Sequence, residues 1–174
     1  MAILAEASPA VAAGSKEIPP GYVPAEVKAT EVGVKVTTPN GLVYEPLDMG
    51  TTETGARFGP PRSGSNVWVK FTGHLDSFDG PIFDASKFRG GRKPDKQEYV
   101  EIRLNQEPTI SNGMYEALKL MKVGAKGRFV QPPALSYGEG KAPFEPDDDG
   151  EVKEKVPAGT TLYYEVELLQ IVKP

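Results

Sequence analysis

The stretch ISNGMYEALKLMKVG, residues 110–124, decides the fold, because no other segment spaces its apolar residues as a helix does. One stripe at i, i+3, i+4 and i+7 collects Met114, Ala117, Leu118 and Met121. Three charged residues point away from it, Glu116, Lys119 and Lys122. Ser111 or Asn112 can cap the first turn, and Gly124 suits a left-handed cap at the end. We predict a helix of about three turns, which is too short to be stable alone and must pack on another element.

Strand periodicity governs most of the remaining chain. Alternating apolar and polar residues predict strands at 32–36, 42–44, 67–75, 100–104, 127–131 and 161–172. A Pro-Asn-Gly turn at 39–41 joins the first two as a hairpin, whereas residues 76–98 leave strand periodicity. Leu169 and Ile171 break the alternation near the end of the last strand, which indicates a bulge or burial on both sides. The expected fold is α+β, with roughly four to six mostly antiparallel strands and one short helix across one face.

Two of these strands should each turn one face toward the core. In the clearest strand, 67–75, that face holds Val67, Val69 and Phe71. In the last strand it holds Leu162, Tyr164, Val166 and Leu168. An aromatic and aliphatic set on the elements facing the helix is by itself more typical of a core than of a pocket: Phe71, Phe83, Val100, Met114, Tyr137 and Tyr164.

The composition limits the classes of function that remain. The 174 residues include 19 glycines, 17 prolines and no cysteine, which favours one domain with many turns and excludes disulfides, thiolate metal sites and thiol nucleophiles. The net charge of −4 gives no global reason to expect a nucleic acid or an anionic membrane as partner. No apolar run approaches the roughly 18 residues of a membrane helix, so no membrane span is expected.

Two segments lie outside the helix and strand pattern. Residues 1–30 carry Ala, Pro and Gly without a sustained period, and we expect a flexible tail ahead of a domain at 31–174. Ala10-Val11-Ala12 has the small-x-small form of a signal-peptidase site, so the tail is either a plain extension or the remnant of a longer targeting sequence. The stretch 132–159 is rich in Pro, Gly and Asp and too long for an ordinary connector, which makes it a candidate functional loop.

Several familiar catalytic and ligand-binding motifs are missing from the sequence. His74 is the only histidine, and neither a Gly-x-Ser-x-Gly elbow nor a phosphate-binding loop accompanies it. The acids of Asp147–Asp149 are consecutive rather than alternate, so a solvated loop is favoured there over a metal site. A basic cluster between Lys87 and Lys96 is interpreted as a solvated loop, with an acidic partner or RNA as the alternatives. We therefore expect no cofactor, no metal and no nucleic-acid partner.

Five segments, in order and at compatible spacing, resemble those of FKBP-type peptidyl-prolyl cis-trans isomerases over roughly residues 32–172. They are VKFTGHL at 69–75, PIFDAS at 81–86, EALKLMKVGAKGRF at 116–129, PPALSYGEG at 132–140 and VPAGTTLYYEVELLQI at 156–171. The resemblance implies a curved antiparallel β-sheet wrapped over the short α-helix, with a shallow apolar pocket between them. It also implies an activity, the rotation of X-Pro bonds in protein substrates during folding or assembly.

The resemblance assigns an apolar enclosure for the proline ring. Phe83 and Tyr164 would form its walls and Met114, at the start of the helix, its floor. Val100 and Ile110 would add side walls. Phe83 and Tyr164 are therefore counted among the catalytic residues, and Val100, Ile110 and Met114 among those that bind substrate.

The resemblance also assigns polar groups to the same site. Tyr137 would donate its hydroxyl to a substrate carbonyl, and Ser111 would offer its backbone N–H to another. Asp84 is the buried polar group of such sites, and Arg89 stands where its basic partner usually lies. Phe71, a further substrate-binding position, stands where the family commonly has a Tyr whose hydroxyl supports the Asp.

Several positions depart from the family pattern. Met114 replaces the common Trp of the floor, Val100 a frequent aromatic wall, and Tyr164 the usual Phe, so the Tyr164 hydroxyl is a candidate replacement for the one missing at Phe71. Phe71, Met114 and Val100 favour an alternative function, a catalytically decayed FKBP-like binding module that serves as an assembly or scaffold subunit. The isomerase is favoured by four residues that fit the pattern, Phe83, Asp84, Tyr137 and Gly138.

The resemblance further implies partners and a location. Proline-containing polypeptides or a client complex would be the substrates, macrolides would bind with reduced affinity, and the chain is expected to be a monomer. An A-x-A extension followed by TTPNGLVYEPL at 37–47 resembles the lumenal FKBP-type proteins of plastids. We accordingly expect the thylakoid lumen of the chloroplast, with the cytoplasm as the alternative.

Overall fold

The computed structural model describes residues 18–50, 59–89, 99–107, 109–137 and 156–173. Within these ranges the chain forms one α-helix, α1 (Asn112–Lys119), and seven strands, β1 (Val36–Thr37), β2 (Val43–Asp48), β3 (Asn66–Leu75), β4 (Ile82–Ala85), β5 (Val100–Arg103), β6 (Lys126–Gln131) and β7 (Leu162–Lys173). Short 3-10 turns follow β4 at Ser86–Phe88 and β6 at Pro133–Leu135. The predicted α+β class is confirmed.

The seven strands join one antiparallel sheet, in the order β1-β2-β6-β7-β3-β4 with β5 also paired to β3. The long strand β3 is paired along both of its edges. Along one edge, β3 pairs with β7 over its whole length. Along the other edge it pairs first with β5, at Asn66–Val69, and then with β4, at Thr72–His74. The two short strands therefore bring the segments around residues 82–85 and 100–103 to the same side of β3.

The core lies between the concave face of this sheet and α1, on the residues that the periodicity predicted. The helical stripe is buried throughout, at Met114, Ala117, Leu118 and Met121. The predicted inward faces of the two long strands are buried as well, at Val67, Val69, Phe71, Leu162, Tyr164, Val166 and Leu168. Each fully buried large apolar side chain contributes about 1.5–3 kcal/mol, so this interface is what stabilises the short helix.

The helix begins where the sequence predicted and ends earlier. Ser111 is the N-cap, and its Oγ accepts a hydrogen bond from the Met114 N–H at 3.2 Å. Leu120, rather than Gly124, is the C-cap, so the prediction of about three turns was wrong. Gly124 does adopt the left-handed conformation, with φ +81°, but in the turn into β6. Its N–H donates to the Leu168 carbonyl at 2.7 Å, so the chain leaves the helix early to reach β7.

Glu116 is the second correction in this stretch, because it is fully buried rather than turned away from the core. Its carboxylate accepts hydrogen bonds from the Gly21 N–H at 3.2 Å, Thr38 Oγ1 at 2.6 Å and Asn40 Nδ2 at 2.7 Å. Residues 18–30 are the described part of the predicted tail, and three of their side chains pack against the core, Val23, Val27 and Ala29. This segment crosses the face of α1 that carries Glu116 and covers it.

Two strand predictions also need correction. The alternation at 32–36 was predicted as a strand, yet pairing begins only at Val36, and Val32 and Val34 are 52% and 48% exposed. Gly33 adopts φ +78° there, and its N–H donates to the Pro46 carbonyl, so a turn replaces the strand. Conversely, the region 76–98 contains β4, whose four residues are too few to show a period.

The bulge predicted near the end of β7 is confirmed. Val69 pairs with Leu168 and Trp68 with Gln170, which leaves Leu169 as an extra residue. A second shift follows, because Val67 pairs with Ile171 and Asn66 pairs with Lys173.

Several predicted segments lie outside the described residues. They are residues 1–17, the acids Asp147–Asp149, most of the basic cluster and most of the loop 132–159. In the part of the chain that is described, no helix combines the length and apolar character needed to cross a bilayer. No group of three or more His, Cys, Asp or Glu side chains within those ranges is arranged to hold a metal ion.

Candidate active site

Three strands bring the predicted aromatic residues together at one point of the sheet. Gly73 on β3 pairs with Asp84 on β4 along one edge and with Tyr164 on β7 along the other. A Cβ at Gly73 would lie 2.7 Å from the Tyr164 ring and 2.9 Å from the Phe83 ring. Since real Cβ atoms do not approach other atoms so closely, a glycine is what allows the two rings to meet over β3.

The aromatic rings form a connected cluster in which edges meet faces. The Phe83 ring lies 5.6 Å from that of Tyr164 and 6.5 Å from that of Tyr137, both in edge-to-face geometry. Phe129 stacks on Tyr164 at 4.9 Å, and Phe71 lies 6.1 Å from Tyr164 in a tilted orientation. Such ring pairs are favourable by about 0.5–1.5 kcal/mol beyond their burial. Tyr164 is thus the hub of an interlocked apolar wall.

Asp84 lies at the edge of this cluster with the cation that the sequence predicted for it. Arg89 Nη2 donates to Asp84 Oδ2 at 2.7 Å and Arg89 Nε to Oδ1 at 3.3 Å, a bidentate pair. The side chain of Asp84 is 0% exposed and that of Arg89 is 6% exposed. Burial lowers the pKa of Arg89, but the hydrogen bond and charge of Asp84 outweigh it and raise that pKa overall. The prediction that Arg89 partners Asp84 is confirmed.

The guanidinium of Arg89 also reaches beyond the carboxylate. It donates to Thr109 Oγ1 at 3.0 Å and to the Thr109 carbonyl at 2.9 Å. Its Cζ lies 5.3 Å from the centre of the Phe71 ring, within the range of a cation–π contact. Phe71, which lacks the hydroxyl expected from the family, therefore contacts the arginine through its ring face.

Two tyrosine hydroxyls meet in the cluster. Tyr137 Oη and Tyr164 Oη lie 2.9 Å apart, and either can be the donor. Burial raises the pKa of Tyr137 to about 12, and the charge of Asp84 adds to the rise. Burial also raises the pKa of Tyr164 well above its usual value, again with the Asp84 charge contributing. Both hydroxyls are protonated at neutral pH, and because their mutual bond uses one proton, the other stays available for an external acceptor.

The start of α1 supplies a second donor close by. Ser111 Oγ donates to Gln131 Oε1 at 2.8 Å while accepting from Met114 N–H, so the cap holds this turn in place. The Ser111 side chain also lies close enough to act on Tyr137, whose pKa it lowers against the larger effect of burial. The backbone N–H of Ser111 has no acceptor among the described residues. It is therefore free to donate to a carbonyl, and the role that the resemblance implies for it stays a prediction.

The remaining predicted residues enclose this group to different extents. Phe83, Met114 and Tyr164 are each only 1% exposed, and Ile110 is 6% exposed, so the predicted walls and floor are also part of the core. Val100 and Tyr137 are only partly buried and pack at the core's margin. Val100 on β5 pairs with Val69 on β3, so its side chain lies on the same inward face of the sheet as those of Val69 and Phe71. Gly138 lies outside the described residues.

Sequence reasoning missed three members of the neighbourhood. Gly73 and Phe129 stand within the quoted segments VKFTGHL and EALKLMKVGAKGRF, and a glycine inside a strand was the available signal for close approach. Gln131 gave no such signal. It is fully buried, accepts from Ser111, and its Nε2 has no partner within the described ranges.

Comparison with known proteins points to one family. A family model described as "FKBP-type peptidyl-prolyl cis-trans isomerase" matches residues 59–169. The "FKBP-type peptidyl-prolyl cis-trans isomerase FkpA" of Aeromonas hydrophila is 37% identical over 146 residues, which are 84% of this chain and 43% of that protein. The "FK506-binding protein 4" of Mycosarcoma maydis is 30% identical over 145 residues, 83% of this chain and 31% of that protein.

A solved structure agrees with these sequence matches. The crystal structure of FkpA from Escherichia coli has a TM-score of 0.56 to this chain at 33% identity, and the match covers 83% of this chain and 53% of that one. The chain thus spans about half the length of that structure, and less of the Aeromonas hydrophila protein. The curved antiparallel sheet over one short helix is the fold of these proteins.

Proposed function

The chain belongs to the FKBP-type peptidyl-prolyl cis-trans isomerase family, and from this premise we propose that it accelerates rotation about X-Pro bonds in polypeptide substrates. One observation carries the proposal. The hydroxyl pair of Tyr137 and Tyr164 lies beside the Phe83 ring. Ser111, whose N–H has no acceptor among the described residues, lies close enough to Tyr137 to affect its pKa. Two donors at an apolar wall are what a rotating prolyl amide requires.

The chemistry needs no nucleophile, because no covalent bond is broken. The barrier to rotation, roughly 18–20 kcal/mol, is the loss of amide resonance. The twisted transition state is less dipolar than the planar amide, so an apolar enclosure favours it relative to water. The rings of Phe83 and Tyr164 and the side chain of Met114 are the apolar part of such an enclosure. A gain of about 4 kcal/mol would correspond to roughly a thousandfold in rate.

The polar groups would fix the peptide on either side of the proline. Tyr137 can donate to one flanking carbonyl because its raised pKa keeps it protonated. The Ser111 N–H, held by its own capping bond, can donate to another. Asp84 lies too deep to reach a substrate directly, and its role is to hold Arg89 and to act on the tyrosines through its charge.

The test is a protease-free isomerisation assay on a short X-Pro peptide. Tyr137→Phe removes one hydrogen bond to a carbonyl and should lower kcat/KM about tenfold, the equivalent of roughly 1.4 kcal/mol. Tyr163→Phe is the matched control. Tyr163 directly precedes Tyr164 on β7, so its ring points to the other face of the sheet, where it packs against Phe78 at 5.2 Å. Circular dichroism should show the same fold in both variants. Equal rates for Tyr137→Phe and the parent would remove this hydroxyl from the mechanism.

The alternative, a binding module without activity, is favoured by one specific observation. Phe83, Tyr164 and Met114 are each 1% exposed, so a proline ring can reach them only if neighbouring groups yield. The same assay separates the two functions. No acceleration by the parent chain would overturn the isomerase. Binding of an unfolded client chain in a titration, without faster isomerisation of its X-Pro bonds, would support the module.

The floor of the candidate active site also bears on macrolide binding. We infer that FK506 binds weakly, since a flexible Met114 gives a less defined floor than an indole. Calorimetric titration of the parent and of Met114→Trp should show tighter binding by the variant.

A location in the thylakoid lumen is proposed from Ala10-Val11-Ala12 and the sequence after it. Import of the protein into isolated chloroplasts, followed by fractionation, tests it, and protein that stays outside the organelles would contradict it.

A further inference from the structure

A groove of about 520 Å³ lies between the segments 22–28 and 60–63, with Lys119 of α1 beside it. None of the residues of the candidate active site lines it. The volume is within the usual range for ligand sites, roughly 300–1,000 Å³. The groove is therefore a second concave surface, beyond what the isomerase proposal explains.

The wall formed by residues 22–28 is fastened to the domain. Gly21, just before it, donates its N–H to Glu116 Oε1 at 3.2 Å and accepts a hydrogen bond from Lys119 Nζ at its carbonyl. Val23 and Val27 pack against the core from within the wall. The opposite wall is held by the Gly64 N–H, which donates to the Leu104 carbonyl at 3.0 Å. The groove is thus formed before any ligand arrives, which lowers the entropic cost of binding.

The lining combines apolar surface with positive charge. Its apolar part consists of Tyr22, Val23, Pro24, Pro60 and Pro61. Its charged part consists of Lys28, Arg62 and Lys119, and no acidic residue of the described ranges lines the groove. Among the described residues, the side chains of Lys28 and Arg62 form no ion pair. A cationic groove on a chain of net charge −4 selects for ligands of the opposite sign.

Tyr22 shows what else the ligand must offer. It is 51% exposed although it is aromatic, and two rigid prolines, Pro60 and Pro61, belong to the other wall of the same groove. An aromatic and proline surface of this kind binds an extended chain with apolar side chains at low conformational cost. The apolar and cationic parts together call for one ligand that carries both an apolar anchor and carboxylates.

We propose that this groove binds an extended acidic segment of another polypeptide, with an apolar side chain against Tyr22 and Pro24 and carboxylates near Lys28 and Arg62. The site would hold a partner or client independently of proline. Because a proline-free ligand is sufficient, failure of the isomerase proposal would leave this one untouched.

The experiment is a fluorescence-anisotropy titration with the fluorescein-labelled peptide GDELFEDG, which contains no proline. Two matched peptides separate the contributions, GNQLFQNG without charge and GDESSEDG without the apolar anchor. We expect the first peptide to bind most tightly and its affinity to fall as salt increases. Equal binding of the uncharged peptide, or no binding of GDELFEDG, would overturn the proposal. Displacement of the labelled peptide by citrate at the concentration at which unlabelled GDELFEDG displaces it would also overturn the proposal, since it would show a site for small anions.

Variants place the binding in the groove. Removing both exposed cations with Lys28→Gln and Arg62→Gln should weaken GDELFEDG about fivefold, and Tyr22→Ser about threefold. The matched control, Lys35→Gln with Arg103→Gln, removes the same charge at exposed positions outside the groove and should change nothing. Amide shifts on titration should be largest at 22–28 and 60–63. Shifts largest around Phe83 and Tyr137, or an unaffected double variant, would overturn the assignment.

Discussion

Two carboxyl groups are fully buried among the described residues, and the protein holds them in different ways. Asp84 on β4 is bound by a cation, through the bidentate pair with Arg89. Glu116 on α1 is bound by neutral donors, the Gly21 N–H, Thr38 Oγ1 and Asn40 Nδ2. Both carboxylates satisfy the requirement that a buried charge be paired or hydrogen-bonded.

The difference shows what each region does. The Asp84–Arg89 pair lies at the sheet edge beside the tyrosines. Burial is the main cause of the raised pKa of both tyrosines, the charge of Asp84 adds to the rise and that of Arg89 opposes it. The pair therefore contributes to the electrostatic environment of the candidate active site. Glu116 binds residues that lie far from it in the chain, Gly21 and Thr38. It so fastens the segment 18–30, here called the arm, whose residues 22–28 form one wall of the groove. Asp84 thus affects the candidate active site, whereas Glu116 holds a distant segment of the chain in place.

The largest expected effect is at the ion pair. Arg89→Met removes the guanidinium and leaves the Asp84 charge buried without it, which should lower the free energy of unfolding by about 3–5 kcal/mol. Urea denaturation at pH 7 measures this. Adding Asp84→Asn to Arg89→Met removes the charge as well and should restore more than half of the loss. A loss below about 1 kcal/mol in the single variant would show that the pair does not hold this region.

A smaller effect is expected at the helix. Glu116→Gln keeps the shape but weakens three hydrogen bonds, and its amide group turns a donor toward other donors. The expected loss is about 1–3 kcal/mol, with faster hydrogen exchange at the Gly21 N–H. Glu101→Gln is the control, because Glu101 also accepts side-chain hydrogen bonds, from Asn66 and Trp68, but at the surface. Unchanged exchange at Gly21 would show that Glu116 does not fasten the arm.

Periodicity predicted the core and missed what tertiary contacts decide. The stripe of Met114, Leu118 and Met121 follows from helical spacing, which any packing of that helix must respect. The burial of Glu116 does not follow, because the segment that covers it lies 95 residues away, at Gly21. The early end of α1 also depends on a distant residue, because the Gly124 N–H donates to the carbonyl of Leu168 on β7.

The candidate site depended on a different kind of inference. Nothing in the spacing of Phe83, Tyr137 and Tyr164 indicates that their rings touch, because three separate elements carry them. Only the resemblance to a known family assigned them to one site, and it assigned Arg89 to Asp84 as well. The bond between the Tyr137 and Tyr164 hydroxyls was not predicted, since it arises from Tyr164 standing where that family usually has Phe.

The smallest expected effect concerns the raised pKa of Tyr137 in the candidate active site. Burial, with the Asp84 charge adding to it, raises the pKa of Tyr137 to about 12, whereas an unfolded tyrosine titrates near 10. The stability this residue contributes is complete below pH 10 and is lost as the pH rises toward 12, because the unfolded chain releases the proton first. Between pH 9 and pH 10.5 the loss through Tyr137 is about 0.8 kcal/mol.

Unfolding in urea at these two pH values, for the parent and for Tyr137→Phe, isolates this contribution from that of the other tyrosines. The variant should lose about 0.8 kcal/mol less stability than the parent over this interval. Tyr163→Phe is again the matched control, since its ring packs on Phe78 outside the cluster. If Tyr137→Phe and the parent lose the same stability, the Tyr137 hydroxyl is not held protonated in the fold. The contrast between Asp84 and Glu116 would then lose its first half, because nothing would show that the site around Asp84 alters the protonation of a neighbouring hydroxyl.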